Sequence, residues 1–245
     1  MEHRETWLAT TMVELADTLV EDFDLVDLYT TLVERSAELV GDAEVGIVLD
    51  DQRGNLRPVA STSERMHLVE LFEVQRQDGP CRDALLTGDQ VANCLLDDRA
   101  VERWPSFTPR ARDVGFRMVH ALPMRCRDTV VGAVNVFQVE PRPLSDLDVT
   151  LLQALADTAT IALLQHRAAT QSAELAAQLQ LALSTRVTIE QAKGVLAERT
   201  GVEVDDAFGA LRDLARGSGR PLIEVAREVI AGGIRATGGA VDGRR

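Results

Sequence analysis

Apolar positions recur every three or four residues at both ends of this chain, with short β-rich runs between them. Trp7, Met12, Leu15 and Leu19, then Leu25, Leu28, Leu32 and Ala37, predict two helices between residues 5 and 40. Ala43 to Asp50 and Leu56 to Ser61 are rich in β-formers and are separated by a turn-rich stretch containing Gly54 and Asn55, which predicts a hairpin. A helix over Ser63 to Gln75 follows. Gly79-Pro80 then punctuates the chain before a short helix over Arg82 to Leu86. Gln90 to Cys94 predicts a third strand, and Trp104-Pro105 the start of a helix that ends near Gly115. Met118 to Met124 and Thr129 to Val139 are the two strongest strands. The order α-α-β-β-α-α-β-α-β-β implies an α+β fold, an antiparallel sheet flanked by helices.

From Ser145 the pattern turns to unbroken helix, because neither Gly nor Pro occurs between Leu144 and Gly194. Roughly fifty residues without a breaker far exceed an ordinary globular helix. Leu152, Leu155, Ala159, Ala162 and Leu163 form an apolar stripe, which Leu175, Leu179 and Leu183, then Ile189, Ala192 and Leu196, resume after a polar interval. Two arrangements bury it: a coiled-coil homodimer, or a single helix packed back on its own domain; Gln171 and Gln178 fall near the core positions of the first. Two short helices follow, Glu203 to Arg216, ended by Gly217-Ser-Gly219, and one begun by Pro221 with Leu222, Val225, Ala226 and Val229 on its inner side. The expected domains are therefore 1–165, a connecting helix 166–184, a helical module 185–232 and a loose tail 233–245.

Composition changes this picture in three ways. The net charge of −13 argues against nucleic acid when taken whole, but residues 171–245 hold ten cations and ten anions, so the excess acid lies in the first 170 residues. The three cysteines Cys81, Cys94 and Cys126 are widely spaced, as in a reduced cytoplasmic protein. No apolar run approaches the roughly 18 residues of a membrane span, and the chain opens on charged residues, so a cytoplasmic location with no membrane contact is expected.

The segment Arg186-Val-Thr-Ile-Glu-Gln-Ala-Lys-Gly-Val-Leu-Ala-Glu-Arg-Thr-Gly201, followed by Asp205-Asp-Ala-Phe208, Leu211-Arg212, Leu214-Ala-Arg216 and Val225-Ala-Arg227, closely resembles the ANTAR family over about Ser184 to Ile230. Ala197 departs from it, standing where members often carry a larger residue such as Met. The resemblance implies a three-helix module that binds hairpin loops in nascent transcripts and stabilises an antiterminator. Gly194 within a helix costs about 1 kcal/mol relative to Ala, which predicts close approach of a neighbouring helix. Splayed bases are read by planar groups and phosphates by cations. Arg186, Lys193, Arg212, Arg216 and Arg220 are therefore the expected RNA contacts, with solvated surface charges offset by Glu190, Glu198, Asp213 and Glu224 as the alternative.

Gly79-Pro-Cys-Arg-Asp-Ala-Leu85, Arg103-Trp-Pro105, Gly115-Phe-Arg-Met-Val-His-Ala-Leu-Pro123 and Val131-Gly-Ala-Val-Asn-Val136 together resemble a GAF domain, particularly the kind that precedes ANTAR in actinobacterial proteins. The resemblance implies an unidentified small-molecule ligand. Cys81, opening a short helix after Gly-Pro, could have its thiolate favoured by the helix dipole for a ligand or redox role, or could be a small core residue. His67 and His120 lack metal spacing, and His120, inside a strand, suits one ordinary hydrogen bond. Neither a phosphate loop nor a catalytic set emerges, so no cofactor, metal or enzymatic activity is expected, and the scattered Asp and Glu read as a solvated acidic face. Two competitors remain open: a DNA-binding regulator with a helix-turn-helix, and a GAF enzyme such as a sulfoxide reductase.

Overall fold

The computed structural model describes residues 2–17, 24–51 and 55–233. Leu19, the hairpin tip 52–54 and the tail from 234 lie outside these residues. The chain divides into two compact units, 1–168 and 169–245.

The first unit is a three-layer α/β/α arrangement. Helices α1 (Glu2–Asp17) and α2 (Leu25–Val40) precede strands β1 (Ala43–Asp50) and β2 (Leu56–Ser61). Then come α3 (Glu64–Arg76), α4 (Pro80–Thr87), β3 (Val91–Leu95), α5 (Asp98–Arg103), α6 (Phe107–Asp113), β4 (Met118–Cys126) and β5 (Thr129–Gln138). The strands form one antiparallel sheet in the order β2-β1-β5-β4-β3. Alternation sorts its side chains. Val45, Ile47 and Leu49 of β1, Leu122 and Met124 of β4, and Val134 and Val136 of β5 enter one core with Leu15, Leu28 and Leu32. Val119, Ala121 and Phe137 enter a second core with Met66, Val69, Trp104, Phe107 and Phe116 beneath α3 to α6.

The structure adds one helix to those the pattern predicts and inverts one boundary. Asp97 caps α5 by accepting from the Ala100 N–H, and Trp104-Pro105 ends that helix rather than starting the next. The residue before a proline is disfavoured in the α region, which accounts for the stop. Asp78 then accepts the N–H groups of Ser106 and Phe107 at the start of α6.

Helix α7 (Asp146–Thr200) spans 55 residues and takes part in both units. Its start is held by a reciprocal cap: Ser145 Oγ accepts from the Asp148 N–H while the Asp148 carboxylate accepts from Ser145. Arg4 of α1 pairs with the same carboxylate. Leu152, Leu155, Ala156, Ala159, Ala162 and Leu163 complete the first core. This helix contains an 18-residue window of mean hydropathy 1.4 with half its residues buried, which corrects the reading that no segment has the length and apolarity of a span. Packing of the sheet onto the helix explains that apolarity without a bilayer.

In the second unit Ala192 and Leu196 of α7 form a core with Ala207, Leu211 and Ala215 of α8 (Val204–Ser218) and Val225, Ala226 and Val229 of α9 (Leu222–Ile230). Helix α8 runs through Gly217 and stops at Gly219, whose φ of +64° provides a left-handed cap. The continuous stripe expected along α7 is two stripes. Leu183 and Ala192 are nine residues apart and so on opposite sides of a helix. Ala192 is buried, whereas Leu175, Leu179 and Leu183 are 56%, 58% and 64% exposed.

Candidate nucleic-acid interface and sensor core

The five cations expected to meet RNA all belong to the second unit, but they are not equivalent. Lys193 is the most enclosed, its side chain only 13% exposed, paired with Glu190 at 2.9 Å and lying 5.8 Å from the Phe208 ring centre. Arg212 approaches the same ring at 5.9 Å, so two cations flank one aromatic side chain. Arg186 lines a groove of about 610 Å³ with Leu181, Ala182, Ile189, Glu190 and Phe208. Arg216 is exposed on α8. Arg220 bonds to Glu224 and Glu228 at 3.5 and 2.7 Å, and the Glu228 carboxylate raises its pKa further. Phe208 is thus the residue that gathers Lys193, Arg212 and the groove carrying Arg186; its place in the sequence pattern suggests only core packing. Arg199, also unmarked in the sequence, donates to the Val229 carbonyl at 3.0 Å and ties α7 to the end of α9.

Gly194 departs from its expected role. It is exposed, and a Cβ built on it meets no atom within 4 Å, so close approach of a neighbouring helix is not its reason among the described residues.

In the first unit the motif residues converge between α3, α4 and the sheet. Asp83 accepts from Trp104 Nε1 at 3.1 Å and pairs with Arg103 at 2.7 Å, which joins the Gly-Pro-Cys-Arg-Asp segment to Arg-Trp-Pro. Beneath them lies an acid pair that the sequence pattern assigns to a solvated face. Glu70 and Glu73 are 0% and 3% exposed. Glu70 accepts from Asn135 Nδ2 at 3.0 Å, and Glu73 from the Cys81 N–H at 2.7 Å. A Cβ at Gly46 would collide with the Glu70 carboxyl and one at Gly79 with that of Glu73, so both glycines make room for buried carboxyls. Burial pushes the Glu70 pKa up to about 8 against the opposing bond from Asn135, and raises Glu73 well above the usual carboxylate range. Glu70 Oε2, Glu73 Oε2 and Asn135 Oδ1 have no hydrogen-bond donor within the protein. Two protonated acids would supply the hydroxyl hydrogens that this cluster of acceptors lacks.

Cys81 sits against this pair, 1% exposed, with Val48 and Ala133. Burial, reinforced by Glu73, pushes its thiol well up, opposite in direction to the thiolate that a helix start alone would favour. Cys94 lies beside Val119 at one end of β4 and Cys126 pairs with Thr129 at the other. Seven residues of strand separate these positions by roughly 23 Å, far beyond disulfide reach. No group of three or more His, Cys, Asp or Glu among the described residues is placed to hold a metal.

Comparison with known families decides the larger unit. The GAF domain family matches residues 24–164, more than half of the 245-residue chain. The chain belongs to the GAF domain family. The ANTAR domain model matches residues 177–230, over the end of α7 and helices α8 and α9. Both are domains of sensory and regulatory kind, although some structures similar to the GAF unit are enzymes. No curated protein matches the chain. Among solved structures, the GAF domain of an Acinetobacter phosphoenolpyruvate-protein phosphotransferase superposes with a TM-score of 0.53 at 15% identity, covering 69% of this chain and 96% of that one. The GAF domain of a Coxiella burnetii phosphoenolpyruvate-protein phosphotransferase gives 0.51 at 15% identity, over 67% and 96%. The free methionine-R-sulfoxide reductase of Neisseria meningitidis gives 0.50 at 18% identity, over 66% and 91%. At these identities the likeness establishes the GAF fold alone.

Proposed function

We propose that this chain is a cytoplasmic, homodimeric transcription regulator of the actinobacterial GAF–ANTAR type, which binds hairpin loops of nascent mRNA and favours an antiterminator when its GAF domain senses a small molecule. The observation that carries this reading is the coincidence of the ANTAR match with a cationic surface centred on Phe208, where Lys193, Arg212 and the groove with Arg186 meet. Cations draw in the phosphates, and the planar groups suit unpaired bases. The neutral balance of this unit implies modest affinity from one copy. Two copies joined through α7 double the contacts, and Leu175, Leu179 and Leu183 offer a face opposite the three-helix core for that purpose. Because α7 takes part in both units, ligand binding in the GAF domain has a helical route to the RNA surface.

A DNA-binding reading draws on the turn Gly219-Arg220-Pro221 between α8 and α9, but Arg220 is engaged by two glutamates of α9. A sulfoxide-reductase reading would need paired reactive thiols, which the burial of Cys81 and the separation of Cys94 from Cys126 disfavour. Titrating the protein with a two-hairpin RNA and with duplex DNA of equal charge tests the proposal. Tighter binding to the hairpins supports it, and equal binding defeats it.

A further inference from the structure

The strand β3 lies at the sheet edge and is irregular. Its register against β4 shifts between Val91 and Cys94, and inside this bulge Asn93 has φ of +52°, a left-handed conformation that Asn tolerates better than most residues. The bulge re-aims both the backbone and the side chain of Asn93. Its N–H donates to His120 Nδ1 at 2.9 Å. Its side-chain Oδ1 accepts from the Leu144 N–H at 2.7 Å, and its Nδ2 donates to the Leu144 carbonyl at 3.1 Å. Leu144 immediately precedes the Ser145 cap of α7. The other ring nitrogen of His120, Nε2, faces Gln138 Oε1 at 3.2 Å. A second tie lies alongside: Gln90 donates to Gln153 of α7, which donates in turn to the Pro123 carbonyl of β4.

These bonds fix the tautomer. Nδ1 accepts from a backbone N–H, so the single hydrogen of a neutral imidazole sits on Nε2 and points at Gln138. A second proton would turn Nδ1 into a donor facing the donor of Asn93. We propose that Asn93, held in its bulge by neutral His120, is the positioning residue that fixes the start of α7, and that protonation of His120 opens this latch and changes RNA affinity. His120 is buried, and Gln138 and Asn93 are the polar groups that meet its ring. On the face of the sheet that His120 shares with Leu122 and Met124, the acidic groups of α7 are engaged elsewhere, Asp148 with Arg4 and Asp157 with Gln153. Burial lowers the imidazole pKa below 6.5 in spite of the Gln138 bond. The closed latch therefore holds at neutral pH. Below 6.5 an open form takes a proton that the closed form refuses, which favours opening by up to about tenfold per pH unit.

The Leu144 N–H reports the latch directly by hydrogen exchange in the full-length protein, with protection corrected for the pH dependence of free-amide exchange. In wild type, Leu144 protection should stay nearly level from pH 7.5 to about 6.5 and then fall, by up to about tenfold in all at pH 5.5. Asn93→Ala should remove about tenfold of protection at pH 7.5, the scale of one hydrogen bond. His120→Asn places an acceptor oxygen near the Nδ1 position and cannot titrate, so it should retain the protection and lose its pH dependence. An unprotected Leu144 at pH 7.5, or one pH profile shared by wild type and His120→Asn, overturns the latch. The effect on RNA rests on the functional proposal above: Asn93→Ala should shift hairpin affinity at least about fivefold. Unchanged affinity in a variant whose Leu144 is unprotected overturns the coupling. Absence of RNA binding by wild type would refute the functional proposal, while the exchange data alone still decide the latch.

Discussion

Replacing Glu70 by Gln should make the GAF unit more stable, and increasingly so as pH rises. Glu70 is fully buried with a pKa near 8, against 4.5 when exposed. Between those values the unfolded chain ionises the carboxyl and the folded chain does not, so folding loses stability as pH climbs. A shift of one unit corresponds to about 1.4 kcal/mol, which gives a cost near 3 kcal/mol at pH 7. From pH 6 to pH 8 the loss attributable to Glu70 is about 2 kcal/mol, tapering as the folded carboxyl begins to ionise. Glutamine keeps the oxygen that accepts from Asn135 and places an N–H₂ donor where Glu70 Oε2 has no partner. Urea denaturation of the full chain, followed by tryptophan fluorescence, isolates this unit because Trp7 and Trp104 both lie in it. Wild type should lose stability steadily from pH 6 to 8, and Glu70→Gln should lose about 2 kcal/mol less. Glu73 leaves a residual slope in both. Parallel pH profiles for the two proteins would mean that Glu70 is already ionised in the fold, and the reasoning from burial would be wrong.

Three further outcomes follow from the same structure. Gly194→Ala should raise the stability of the second unit by about 0.5–1 kcal/mol, since a methyl group meets open space there; a loss, read by thermal melting, would reveal a neighbour. Leu175→Asp with Leu179→Asp should dissociate the proposed dimer, because an unpaired buried charge costs several kcal/mol; a wild type that sediments as a monomer at micromolar concentration would rule the dimer out. Inserting Gly-Ser-Gly-Ser after Gln171 should leave both units folded and abolish ligand-dependent shifts in RNA affinity; equal shifts in wild type and the insertion variant would make α7 a mere tether.

Local patterns carry much of the fold. The strands and α7 are readable because alternation and the absence of Gly and Pro are local signals. Helix α5 is not, since six residues show no helical period, and the Asp97 cap is the one local signal that marks it. The acid pair is hidden for a different reason. Glu70 and Glu73 stand three apart on α3, and only the contacts of Glu70 with Gly46 and Asn135 on distant strands, and of Glu73 with Gly79 and Cys81, reveal that they are buried. His120 suits one hydrogen bond by its place in a strand and has two partners, because the bulge that delivers the Asn93 N–H exists only once β3 pairs with β4. At the candidate RNA surface the residue types are legible and their pairing is not: Lys193 and Arg220 look as free as Arg186 and Arg216, yet each carries an acidic partner.

The central claim, RNA recognition by the second unit, is tested most directly by a filter-binding titration of a two-hairpin RNA at several salt concentrations. Wild type and Lys193→Glu with Arg216→Glu should be compared, alongside duplex DNA of equal charge. The account predicts that wild type prefers the hairpins. The double variant should stay folded, bind more weakly and show a salt dependence flattened by about one unit of slope for each phosphate it no longer neutralises. Equal affinity for hairpin RNA and duplex DNA, or an affinity and salt slope unchanged in the double variant, would contradict it.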